Sequence, residues 1–276
     1  MLINLIIGKD SNLSNALSIR LDDCISVSSR ELIKDINILS QYERKDINII
    51  FNNFQTAVQL NDLVNSQNYI ENSILVTSMV LEFFKDTGTN INKIIYTSSS
   101  SVYGNNILCN ENDQLKPASL YASLKIANEK LIEKFCGDNK IDYTILRIFN
   151  MYGGDDNFSI ISKILESHRS NHKLIVINDG NAIRDFIHIS DVVDIYMKIL
   201  GIKDIKVLNV GSGQGICINN ILDYLSSNGI NIKTKKINRD ELKTSTADTK
   251  LLHYLTNKIN FININEYIKK ELNIGS

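Results

Sequence analysis

Short apolar runs that end in small residues alternate with stretches of helical periodicity, and this alternation constrains the fold more than any other feature of the chain. Residues 2–7 (LINLII) form one such run, closed by Gly8. A run of that length, apolar except for Asn4, fits a strand buried on both faces. Ser11 to Leu21 follows, with Leu13, Leu17 and Leu21 at i, i+4 and i+8 on one helical face. Cys24–Val27, Asn48–Phe51, Lys93–Thr97 and Tyr143–Phe149 predict further strands, and Asn72–Phe84 and Ala122–Cys136 predict helices. Strand–helix alternation of this kind implies an α/β fold whose parallel sheet is covered on both faces.

Beyond Asn150 the pattern breaks at Gly153, Gly154, Asp155 and Asp156. Strands are expected at Leu174–Ile177, Ile187–Ile189 and Val207–Val210, a helix at Asp191–Leu200, and a turn in GSGQG. Pro117 is the only proline, and no Pro-rich linker separates two halves. The second lobe is therefore expected to be interleaved with the first. The expected division is 1–152 plus 187–211 for the main domain and 153–186 plus 212–276 for the smaller lobe.

The formal net charge of −1 gives no electrostatic footprint for nucleic acid or an anionic membrane. An anionic ligand must then be held by a few local cations. Cys24, Cys109, Cys136 and Cys217 form no CxxC pair, which suits reduced thiols and no metal. Met1 to Gly8 lacks the basic flank of a signal peptide. The run from Ile74 to Phe84 contains Thr77, Ser78 and Glu82 and is too short to span a bilayer. A cytoplasmic location is the expectation.

The chemistry-bearing segment is YASLK, Tyr121 to Lys125, at the start of a predicted helix. Residues four apart share a helix face, so the phenol and the ammonium address the same space. A free phenol has a pKa of about 10, and a nearby cation is expected to lower it, suiting Tyr121 to general acid or base work. Upstream, IIYTSSSSVYG (94–104) is an apolar strand ending in hydroxyls. Ligands of open parallel sheets bind beyond the carboxyl ends of strands, where such a hydroxyl can hold a substrate oxygen close to Tyr121.

Five segments in order, YTSSSSVYG, KPASLYASLK, LRIFNMYG, DGNAIRDFIHISDVVD and LNVGSGQGICI, resemble the extended short-chain dehydrogenase/reductases of the NAD-dependent epimerase/dehydratase group. Arg239 followed by STAD, ending at Asp248, is a sixth. The resemblance implies a Rossmann-type doubly wound parallel sheet that binds a dinucleotide, with a smaller substrate-binding lobe. It implies that Ser99 contacts the reacting sugar oxygen, that Tyr121 transfers the proton, and that Lys125 binds the nicotinamide ribose and tunes Tyr121. Thr97 falls with the cofactor and Ser100 with the substrate. Asn150, Arg184 and Arg239 match positions that hold the nucleotide diphosphate, and arginine forks suit phosphate. For Arg184 the structural alternative is an ion pair with Asp185. His188 is expected to be packed or hydrogen-bonded, not a catalytic base. The resemblance also implies a homodimer.

The chain departs from the family at three places. Where GxxGxxG is expected it has Gly8, Ser11 and Ser14; serine can hydrogen-bond a phosphate but does not take positive φ as readily as glycine. The second strand ends in VSSRE, where Ser29 and Arg30 suit the 2′-phosphate of NADP over NAD and Glu31 stands adjacent. The third strand leaves through FNNF (51–54), larger than the family's residues beside the cofactor.

The resemblance covers reduction, epimerisation and dehydration. Family 4,6-dehydratases carry an Asp-Glu pair where this chain has Ser100 and Ser101, neither able to act as an acid or base near neutral pH. Reductase–epimerases similar to GDP-fucose synthase carry Cys at the place of Ser101. The favoured expectation is an NAD(P)H-dependent reductase of a 4-keto nucleotide-diphospho-sugar, with a 4-epimerase holding NAD tightly as the alternative. A non-catalytic dinucleotide-binding sensor is the alternative from another class.

Overall fold

The computed structural model describes residues 2–53, 66–258 and 260–273. In chain order the elements are β1 (Leu2–Ile7), α1 (Asn12–Arg20), β2 (Cys24–Val27), α2 (Ser29–Lys34), β3 (Asp46–Phe51), α3 (Ser66–Ile70), α4 (Val76–Lys85), β4 (Asn90–Ser99), β5 (Asn106–Cys109) and α5 (Leu120–Asn139). There follow β6 (Asp142–Ile148), β7 (Asn150–Tyr152), α6 (Ile160–Ser170), β8 (Leu174–Ile177), β9 (Ile183–His188), α7 (Ile189–Ile199), β10 (Val207–Val210) and β11 (Gly215–Cys217). The chain continues through α8 (Ile218–Ser227), β12 (Thr234–Ile237), β13 (Thr244–Ala247), α9 (Lys250–Thr256) and α10 (Ile264–Glu271).

Two compact units share these elements. The first comprises Met1–Val102, Pro117–Arg147 and Val193–Leu208; the second comprises Tyr103–Lys116, Ile148–Val192 and Asn209–Ser276. These boundaries differ from those expected from sequence at 103–116, 148–152, 187–192 and 209–211. For the first two stretches the reason is strand pairing: β5 joins β13 and β7 joins β9, so both short strands belong to the second unit.

The first unit is built on a six-stranded sheet in the order β2-β1-β3-β4-β6-β10. The β1–β2, β1–β3 and β3–β4 pairs are parallel. Ile3, Leu5 and Ile7 point to one face and join Ile47, Ile49, Phe51, Val76, Val80 and Phe84 in a single core. Ile6 and Ile50 point the other way and are equally buried, which is why these strands read as mainly apolar runs. Leu13 and Leu17 are fully buried, as their spacing predicts. Asparagines also tie the strands together. Asn48 donates to Asn4 at 2.9 Å and accepts from Asn92 at 2.9 Å, forming a side-chain ladder across β1, β3 and β4.

Between α3 and α4 the helix widens into one π turn at Glu71–Leu75. Such turns loosen the i−4 ladder and often occur at functional sites. Here Asn53, just past β3, donates to the carbonyls of Asn72 (3.1 Å) and Ser73 (2.8 Å) and to the Thr77 hydroxyl (3.2 Å). Asn53→Ala is expected to cost about 1–3 kcal/mol, because buried acceptors lose their donor. A urea midpoint unchanged from the parent would contradict this.

The second unit carries a sheet in the order β11-β9-β13-β5, with β7 on β9 and a separate β8–β12 pair. Its core includes Tyr152, Ile161, Ile164, Phe186, Ile221 and Ile268. Among the described residues no helix is long and apolar enough to cross a membrane.

Candidate active site

The register brings four strand exits of the first unit to one edge. Ile7 pairs with Val27 and with Phe51, and Phe51 pairs with Tyr96. Gly8, Ser28, Asn52 and Thr97 therefore follow in one row. The chain leaves β1 for β2 on one side and for β3 on the other, so the strand order reverses at β1. A reversal point at the carboxyl edge is where open α/β sheets bind ligands.

Gly8 has φ +111, and a Cβ there would lie 2.4 Å from the Asn52 carbonyl oxygen. This glycine is what allows the exits of β1 and β3 to touch. Ser11 caps α1, accepting from the Ser14 amide at 3.0 Å with φ −85, so no left-handed backbone is needed. Ser14 is fully buried and donates to the Gly8 carbonyl at 2.6 Å. The Ser11 hydroxyl donates to Ser14 at 2.9 Å, and the Asn52 amide donates to both hydroxyls at 2.7 Å. The two serines that replace glycines are thus tied inward to Asn52. FNNF was read as bulk beside a cofactor; Phe51 is a core strand residue, Asn52 and Asn53 are buried polar ties, and Phe54 lies outside the described residues.

The VSSRE segment also carries a local signal missed in the sequence. Ser28 and Glu31 form a capping box that starts α2, with the Glu31 carboxylate accepting from the Ser28 amide at 3.2 Å. The S-x-x-E spacing announces this motif. Glu31 is held by its own helix, Ser29 is half-buried and Arg30 is exposed.

Ser99, Tyr121 and Lys125 come together at the end of β4 and the start of α5. Ser119 caps α5, accepting from the Ala122 amide at 3.2 Å. The Ser99 hydroxyl stands beside the Tyr121 phenol, close enough to favour its ionised form. Lys125 is buried and donates to the Thr97 carbonyl at 2.9 Å. Its ammonium lies 5.8 Å from the Tyr121 ring centroid and 5.2 Å from that of Tyr96. The edge of Tyr69 meets Tyr121 at 6.3 Å. The Thr97 hydroxyl pairs with Tyr196 at 2.6 Å.

The expected lowering of the Tyr121 pKa by a cation is corrected by this environment. Burial pushes the phenol up to about 12, and the neighbouring Ser99 hydroxyl offsets only part of that. Burial also pulls Lys125 down to about 7, with the Glu129 carboxylate opposing it. Desolvation acts on both groups and outweighs their neighbours. Tyr121 is accordingly a protonated acid at neutral pH. Ser100 begins a 3-10 turn and is half-buried, and the buried Ser101 hydroxyl has no hydrogen-bond partner among the described residues.

In the second unit, Asn150 donates to the Asp185 carbonyl at 2.9 Å. Arg184 does not pair with Asp185; it pairs with Glu241 at 3.3 Å. Side chains alternate along β9, and Asp185 turns away to accept from Ser212, Gly213 and Ala247. Asn178 bonds both Glu241 and the backbone of Arg239, so Arg184 and the exposed Arg239 belong to one neighbourhood. Glu241 was not singled out by sequence. His188 packs at 5.2 Å from Tyr152 and 5.0 Å from Tyr267, and its Nδ1 accepts from the Ser190 amide at 3.2 Å, a packed and hydrogen-bonded residue.

A glycine exit at a strand-order reversal, with a hydroxyl, a phenol and a buried lysine at the same sheet edge, defines a dinucleotide-fold enzyme class. Residues 32–211 match the family model described as NAD dependent epimerase/dehydratase, and the chain belongs to that family. It is 28% identical over 188 residues to the UDP-glucuronate 4-epimerase of Thermodesulfobacterium geofontis, covering 66% of this chain and 56% of that one. It is 26% identical over 202 residues to the dTDP-D-glucose 4,6-dehydratase of Dictyostelium discoideum, covering 68% and 45%. Even for relatives matched over more of their length, the chain spans only 60–65% of the curated protein. Among solved structures, MoeE5 in complex with UDP-glucose and NAD shares the fold, with TM-score 0.87 and 22% identity over 98% of this chain and 97% of that one.

Proposed function

We propose that the chain reduces a 4-keto nucleotide-diphospho-sugar with NAD(P)H, as a cytoplasmic homodimer serving deoxysugar or surface polysaccharide synthesis. The observation that carries this reading is the trio of Ser99, Tyr121 and Lys125, in which the phenol is held in its protonated form. The carboxyl edge suits a dinucleotide: Gly8 leaves no Cβ between the strand exits, and the nine-residue α1 starts beside it with its positive end. Gly8 and the α1 start would hold the pyrophosphate, with Ser11 and Ser14 bracing the loop. Lys125 and Thr97 would face the nicotinamide end. The bound nicotinamide supplies the hydride.

Tyr121 gives its proton to the sugar oxygen as that oxygen becomes an alkoxide. Ser99 fixes that oxygen, and Lys125, while charged, stabilises the phenolate left behind. Arg184, Arg239 and Asn150 would take the diphosphate. Arg184→Ala is expected to raise the KM for the nucleotide-sugar about 10–100-fold, the value of a charged hydrogen-bond pair, with kcat little changed. An unaltered KM would remove Arg184 from the binding set. Exposed Arg30, with Glu31 engaged in its capping box, supports NADP over NAD, and equal affinity for NADPH and NADH would overturn that preference.

A second reading, a 4-epimerase, is favoured by the names of relatives such as the UDP-glucuronate 4-epimerase. The deciding experiment offers 4-keto nucleotide-sugars with NADPH and, separately, nucleotide-sugars alone. Stoichiometric loss of absorbance at the NADPH band supports the reductase. C4 inversion without net cofactor change transfers the assignment to the epimerase. Neither reaction, together with tight dinucleotide binding, leaves the sensor.

A further inference from the structure

We propose that Glu129 is a positioning residue: clamped between Ser98 and Arg147, it fixes the register in which β4 and α5 present Ser99, Tyr121 and Lys125. The inference rests on the reading of that trio as the proton-transfer centre, and it adds a residue that touches neither substrate nor cofactor.

Three consecutive strand residues each face a different residue of one helix. The Thr97 carbonyl accepts from Lys125 at 2.9 Å, the Ser98 hydroxyl donates to Glu129 at 2.5 Å, and the Ser99 hydroxyl stands beside Tyr121. On α5 the partners stand at 121, 125 and 129, one face over successive turns. Ser98 is the middle rung, between the residue that receives Lys125 and the residue that meets the phenol. Side chains alternate along a strand, so a one-residue slip of β4 would turn Ser98 away from Glu129. It would strip a donor from a carboxylate that is 1% exposed, and that penalty opposes the slip.

Arg147 on β6 completes the clamp. Its Nη2 donates to Oε2 at 2.8 Å and its Nε to Oε1 at 3.2 Å, so both carboxylate oxygens are engaged by a partner 4% exposed. A forked pair of this kind has one geometry. The carboxylate is also an anion one turn from Lys125, and its attraction supports the ammonium against burial. Tyr121 on its own helix and Tyr96 on β4 also face Lys125, with Tyr69 of α3 behind Tyr121. Burial raises all three phenols, so none of these three supplies a negative charge at neutral pH, whereas the Glu129 carboxylate does.

The test uses the full chain with Glu129→Gln, Ser98→Ala and the double variant Glu129→Leu/Arg147→Met. Lysine ε-carbon NMR, with Lys125→Met to assign the signal, reads the Lys125 titration without any substrate. Glu129→Gln is expected to lower the Lys125 midpoint by about one pH unit and to lower kcat about 100-fold at unchanged KM, the scale of a displaced catalytic group. Ser98→Ala, which keeps the ion pair, is expected to leave the midpoint and KM in place while kcat falls about 10-fold. The double variant refills the core with apolar volume and is expected to fold without recovering kcat. If the double variant restores kcat, or if Glu129→Gln keeps both the parental kcat and the midpoint, Glu129 is only a packing residue. Should Glu129→Gln not fold, Ser98→Ala decides, and a parental kcat there overturns the proposal. A Tyr121→Phe variant that remains active would instead strike at the trio itself, so the two failures are distinguishable.

Discussion

Tyr121→Phe is expected to yield a folded protein whose turnover of the proposed nucleotide-sugar substrate falls about 10²–10⁴-fold, the usual contribution of a positioned general acid. The phenol is protonated at neutral pH and stands beside the hydroxyl expected to meet the substrate oxygen. Its pKa near 12 means that loss of its proton does not limit the rate below strongly alkaline pH. The pH sensitivity lies with Lys125. Its pKa is pulled from the ordinary lysine range down to about 7, so its charge is present below that value and lost as pH rises through it. Reduction is therefore expected to slow from about pH 7 upward. Lys125→Met should flatten that limb at a low rate. Product formation followed by anion-exchange chromatography between pH 5.5 and 9 reads both effects. A Phe variant retaining more than a tenth of the parental rate would dismiss Tyr121 as the acid.

Gly8→Ala is expected to damage folding and dinucleotide binding together. The left-handed φ is one strain, and contact with pinned backbone is the other. The added methyl would lie 2.4 Å from the Asn52 oxygen, 2.6 Å from its carbonyl carbon and 2.8 Å from the Asn53 amide nitrogen. Neither neighbour can move freely. Asn52 is tied to Ser11 and Ser14, and Asn53 to the π turn. The two strains together are expected to cost about 2–4 kcal/mol, read as a lower urea midpoint. NADH fluorescence titration should show binding weakened by at least about 10-fold, since the loop proposed to hold the pyrophosphate is displaced. A parental midpoint and a parental affinity would show that the loop accommodates the methyl.

These outcomes depend on features that differed in how openly the sequence displayed them. The strands of the first unit were legible because burial on both faces leaves long apolar runs, as in LINLII, and because Leu13 and Leu17 repeat at helical spacing. Tyr121 and Lys125 were legible because four-residue spacing is itself a geometric statement. Asn52, Asn53 and Glu241 were not, because a polar residue acquires meaning only when its partner is known, and theirs lie 19 to 63 residues away. Glu129 stood in view four residues past Lys125, but its clamp needs Ser98 and Arg147, each on a different strand. The Ser28–Glu31 capping box was readable locally, yet attention to the ribose-reading position hid it. β5, β7, β11, β12 and β13 were missed because each is too short or too polar to stand out as an apolar run of the kind seen in Leu174–Ile177.

The order in which the two units exchange the chain has a consequence for how the molecule is made. A ribosome that has emitted residue 102 has delivered β1 to β4, but β6 waits for residues 142–148 and β10 for 207–210. Until then the flank of β4 is an unpaired edge in a crowded cell, open to pairing with other chains. No single cut yields either unit as a continuous fragment, so truncation at a midpoint should give aggregates, not a working half.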